Sequence, residues 1–161
     1  MTTFAWPTRL KYGALAGLAG WLAGQVVTFP FEFAVAWRYV NGQIGQLPVS
    51  LAKGLVVWGV FSLAMAMVGF IPLALPLFVF IPPRWVVRWR GLLIPATGLA
   101  AMAAMYKRMG LLNLYHFRHY WEIEAFFISA PNFFIITFAL VTTWVYAVLA
   151  KRRLSSPGIL S

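Results

Sequence analysis

The sequence predicts an all-α integral membrane protein, a bundle of four transmembrane helices whose second helix is broken by proline. Three observations lead there. Of the 161 residues, 62% are hydrophobic and only 10% are charged, where a soluble domain carries about 25% to keep its surface solvated. The apolar residues gather in long runs, and roughly 20 such residues cross about 30 Å of hydrocarbon. Basic residues stand at the ends of those runs, where they flank membrane spans. The chain reads as a single membrane domain, 1–153, followed by a short tail, 154–161.

The first span is expected over about 12–33, after Arg9 and Lys11, interrupted only by Gln25, Thr28 and Glu32. Pro30 removes a backbone donor and is expected to loosen the helix near its end. A secretory signal is not expected here, because the apolar run continues past Ala23 and Gly24 to Phe33, beyond a typical h-region. The second span, about 54–80, lies between Lys53 and Arg84 with no charge inside. Pro72 and Pro76 each take away a donor and crowd the preceding turn, so this helix is expected to break, with Pro82 and Pro83 at its end.

The third span, about 91–106, is held between Arg90 and Lys107. Its sixteen residues rise about 24 Å as a helix, short of the hydrocarbon. Snorkelling of the flanking cations lengthens its reach; a re-entrant segment is the alternative. The fourth span is expected over about 125–149, between Glu124 and Lys151. With four crossings, one side holds Arg9, Lys11, Arg84, Arg88, Arg90, Lys151, Arg152 and Arg153. The other holds only Arg38, Lys53, Lys107, Arg108 and Arg118. The positive-inside rule then puts both termini in the cytoplasm, as in a bacterial inner-membrane protein.

The sharpest pattern is glycine. Gly13, Gly17, Gly20 and Gly24 fall within a stripe about 60° wide at 100° per residue. Glycine weakens a helix by up to about 1 kcal/mol against alanine, so four in line imply close backbone approach. In lipid, helices associate through such small residues. Ala96, Ala100 and Ala104 form a second ridge. Both serve either packing within the chain, against span three for example, or docking onto a partner subunit. Beside the glycines, Gln25, Thr28 and Glu32 share one face. An intramembrane ionisable group raises a proton- or cation-site hypothesis, whereas a headgroup-level Glu32 paired with Arg38 is the plainer expectation. Gln25 is deeper and suits an interhelical hydrogen bond.

Arg84, Trp85, Arg88, Trp89 and Arg90 interleave cation and indole between two spans. That is the pattern of an interfacial belt facing anionic lipid headgroups, and nucleic acid is not expected as a partner. The remaining candidate cluster is His116, His119 and Glu122, spaced i, i+3, i+6 within an arc of about 120°. Histidine and glutamate ligate metals and histidine titrates near neutrality; an amphipathic interfacial collar, with Arg118 paired to Glu122, explains the same residues without a ligand. No metal site or cofactor of the chain's own is expected; a lipid, or a cofactor held with a partner subunit, is the alternative. The chain has no cysteine and no aspartate, no phosphate-binding glycine loop and no nucleophile motif, so no catalytic residue is assigned. The expected function is a non-catalytic accessory or structural subunit, or an assembly factor, of a larger membrane complex. The alternative is a small oligomeric transporter or channel using Gln25, Glu32 and the Pro72/Pro76 break.

Overall fold

The computed structural model describes residues 5–40, 43–69, 75–112 and 123–155. All its regular elements are helical. They are α1 (Trp6–Tyr39), a single 3₁₀ turn (Ile44–Gln46), α2 (Leu47–Gly69), α3 (Leu75–Phe80), α4 (Pro83–Arg88), α5 (Arg90–Leu112) and α6 (Ile123–Ser155). Three stretches of helix among the described residues are long and apolar enough to cross a membrane: Trp6–Tyr39, Ile44–Met67 and Phe133–Ser155.

α1 begins where Pro7 occupies the first turn, the place where a missing N–H costs nothing. It then continues as helix through Pro30 to Tyr39. Pro30 and Val26, whose carbonyl loses its donor, both lie on the exposed face, where no neighbouring helix is displaced. At 34 residues α1 is about 51 Å long. Arg9 and Arg38 near its two ends are about 43 Å apart along the axis, close to the thickness of a bilayer with its headgroups.

The central pair is α1 with α6. The helices run antiparallel, and rows of residues four apart meet. Ala16, Gly20, Gly24 and Thr28 line α1; Phe134, Phe138, Thr142, Tyr146 and Ala150 line α6. The glycine ridge therefore seats on the last span of the same chain. A Cβ on Gly24 would stand 2.5 Å and 2.6 Å from ring atoms of Phe134. A Cβ on Gly20 would collide with the Thr142 hydroxyl and stand 2.8 Å from the Phe138 carbonyl oxygen. Thr142 Oγ1 is buried with no hydrogen-bond partner. It sits over the Gly20 Cα–H, a weak donor that close helix crossings use.

α2 packs on the outer side of α1, and α5 on the outer side of α6. α5 turns Gly98 to the Leu140 side chain, where a Cβ would be 2.7 Å from a Leu140 methyl. Thr143 and Thr97 hydroxyls meet at 3.1 Å across the same contact, and Thr97 donates to the Ile94 carbonyl at 2.8 Å. α5 extends well beyond the apolar run 91–106, and its 23 residues measure about 35 Å.

The 81–90 segment is not a loop. Pro82 caps α4 and Pro83 opens it; Trp89 closes it at φ −100°, ψ 14°, and α5 starts at the next residue. Val86 of α4 joins Ala16, Phe78, Tyr146 and Ala147 in one buried cluster. The start of α1, the end of α3, α4 and the last turns of α6 thus lie together at one end of the bundle.

Candidate functional site

Two constellations stand out, one along the α1–α2 seam and one at the end of the bundle where α3 and α4 meet. The seam is built from the polar residues of α1 and their partners on α2. Gln25 donates through Nε2 to Ser62 Oγ, and Trp21 donates through Nε1 to the same oxygen at 3.3 Å. The Ser62 hydroxyl in turn donates to the Gly59 carbonyl at 3.1 Å. One turn further along α1, Trp58 Nε1 donates to Thr28 Oγ1 at 2.9 Å, and Thr28 donates back to the Gly24 carbonyl at 2.9 Å. Thr28 and Ser62 are fully buried. Gln25 stands about midway along α1 between Arg9 and Arg38, so a bilayer whose two faces meet those cations has this network near its centre. Hydrocarbon offers no alternative partners there, which favours mutual satisfaction between helices.

Glu32 ends the seam. Its carboxylate lies beside α2, with Oε2 3.2 Å from where a Cβ on Gly54 would be. The expected pair with Arg38 does not form. Because α1 stays helical through this stretch, six residues leave Arg38 about 120° round the helix from Glu32 and about 9 Å further along it, on an exposed face.

At the other end of α1 the bundle is basic. Arg9, Lys11, Arg84, Arg88, Arg90, Lys151, Arg152 and Arg153 gather there with no acidic residue among the described ones. Trp85 is 64% exposed and Trp89 44%, and the Arg88 guanidinium lies 5.8 Å from the centre of the Trp89 ring. Within this end, the last carbonyls of α3 are taken up by side chains from elsewhere. Tyr146 Oη donates to the Phe78 carbonyl at 2.9 Å, and Arg9 Nη1 donates to the Val79 carbonyl at 2.5 Å. The Phe78 and Tyr146 rings stack with centroids 4.2 Å apart and planes at 11°.

The residues singled out in the sequence therefore part company. Gly13, Gly20 and Gly24 are buried in α1 and Gly17 is half-buried; the contacts of Gly20 and Gly24 are with α6, so that ridge is already occupied by the same chain. Ala96 and Ala100 are exposed on the outer face of α5, while the side chain of Ala104 lies outside the described residues. His116, His119 and Glu122 lie outside them too, as does Pro72, whereas Pro76 falls in the first turn of α3. Among the described residues no group of three or more His, Cys, Asp or Glu side chains is placed to hold a metal ion. Sequence reasoning missed Ser62, Trp58 and Tyr146. A serine, a tryptophan and a tyrosine within apolar runs were the available signal, since buried hydroxyl and indole N–H groups need partners.

Comparison with protein-family models, with curated proteins and with solved structures gave no match.

Proposed function

We propose that this chain is a non-catalytic accessory or structural subunit of a larger membrane complex, a four-span bundle with a proline-broken second helix. The observation that carries this reading is the α1–α2 seam. Its polar groups, the buried Ser62 and Thr28 and the half-buried Gln25, Trp21 and Trp58, bond to one another and to backbone. Such a network fixes the register of two helices; it is not poised to bind and release a solute. The faces left outward are those suited to lipid and protein neighbours: Val56, Val57, Val60 and Met67 on α2, and Leu92, Ala96, Leu99 and Ala100 on α5. A ridge of alanine admits close helix approach. α5, at about 35 Å, is long enough to serve as the third span.

The basic end, with Trp85 and Trp89 at headgroup depth, faces the cytoplasm and anionic lipid in this reading, and both termini lie on that side. Purification in mild detergent is expected to recover membrane subunits of different sequence in fixed stoichiometry. Recovery of the chain alone, as a monomer or homo-oligomer, contradicts the proposal.

A second reading, a small oligomeric transporter or channel, is favoured by one observation: Glu32, an ionisable group, continues the polar seam at its end, its carboxylate set against Gly54 of α2. Solute flux in proteoliposomes that disappears in Glu32→Gln supports it. Full flux in that variant removes Glu32 from any transport mechanism.

A further inference from the structure

In a helix each carbonyl accepts from the N–H four residues on. For Phe78 and Val79 those donors would belong to Pro82 and Pro83, and proline has no N–H. The proline pair thus orphans two neighbouring carbonyls at the C-terminus of α3, in a setting where water is scarce. The two side chains bonded to those carbonyls come from the opposite ends of the chain, Tyr146 from α6 and Arg9 from α1.

We propose that Arg9 and Tyr146 form a clasp that locks the α3–α4 segment across the end of the α1–α6 pair, each replacing the donor that one proline lacks. Tyr146 is 1% exposed and Phe78 8%, and the stacked rings aim the hydroxyl at the carbonyl of the residue it stacks on. Arg9 adds a positive charge where a helix presents its negative end. α4 follows the proline pair directly, and its first turn bonds back to it: the amides of Trp85 and Val86 donate to the Pro82 carbonyl at 2.9 and 3.4 Å. The clasp therefore sets the position of the belt that carries Arg84, Trp85, Arg88 and Trp89. It gives Arg9 a role apart from topology, and it holds whatever partner the bundle serves.

Hydrogen–deuterium exchange of the detergent-solubilised full chain tests it. In Arg9→Met and in Tyr146→Phe, which keeps the ring stack, the Trp85 and Val86 amides should exchange about tenfold faster, as for loss of one buried hydrogen bond. Amides of α2 should not change. Arg9→Lys keeps a donor and should stay within about threefold of the parent; Lys11→Met, an exposed cation one half-turn away, should match the parent. Full protection of Trp85 and Val86 in either Arg9→Met or Tyr146→Phe overturns the proposal. So does equal acceleration in Lys11→Met, or in α2.

Discussion

Gly20→Ala should destabilise the bundle by about 3 kcal/mol, roughly a hundredfold in the folding equilibrium, at the upper end of what overpacking costs. The added methyl meets two obstacles of different kinds. The Thr142 hydroxyl can rotate away, but the Phe138 carbonyl oxygen, 2.8 Å from the new Cβ, belongs to the backbone of α6. Relief requires the two helices to separate, which loosens every contact in the ridge. Thr142→Ala alone should be close to neutral, because its hydroxyl is buried without a partner. Combining it with Gly20→Ala should recover only the side-chain part of the loss. Gly59→Ala supplies the contrast. Nothing lies within 4 Å of its Cβ position, so helix propensity decides, and a gain of about 0.5–1 kcal/mol is expected. Unfolding titrations in mixed micelles measure all four variants.

The second large effect is Phe134→Ala, expected to cost about 2–3 kcal/mol. Phe134 is 0% exposed. Its ring covers Gly24, meets Trp58 edge-on at 6.0 Å and stacks on Phe138 at 6.1 Å, so it joins α1, α2 and α6 at one point. In a soluble core the same truncation costs about 3–5 kcal/mol. Lipid is as apolar as the ring's own surroundings, so the transfer part of that figure shrinks while the cavity and lost dispersion contacts remain. Phe133→Ala, on the neighbouring residue that is 49% exposed, should cost far less. Equal losses at the two positions in the same titration would mean that burial in the α6 ridge is not what matters.

Much of this architecture was legible in the residues. Apolar runs between cations located the helices, and the glycine period identified the face of α1 that meets another backbone. The period alone does not say which backbone. α6 offers a matching row every four residues with Thr142 small enough to face Gly20, and that complementarity is visible only once both helices are placed. Helix ends were less legible, because hydropathy marks where lipid ends and not where hydrogen bonding stops. α1 and α5 therefore extend past their apolar runs into Arg38 and Lys107. Arg9 reads in sequence as a topogenic charge, and its bond to Val79 spans seventy positions that no local pattern connects. The proline pair at 82 and 83 was the available clue, since it announces two carbonyls in need of donors. Of the site candidates, the Arg38 partner assigned to Glu32 failed on helical geometry alone.

The central claim is that α1 and α6 pair antiparallel inside the membrane through small residues of one chain. Since the sequence has no cysteine, Ala16→Cys with Ala147→Cys, both in the buried cluster where the helices cross, gives a clean reporter. Oxidised in carbonate-washed membranes, the double variant should form a disulfide within one chain and remain in the pellet. Release into the carbonate supernatant, or a disulfide found only between two copies, would contradict it.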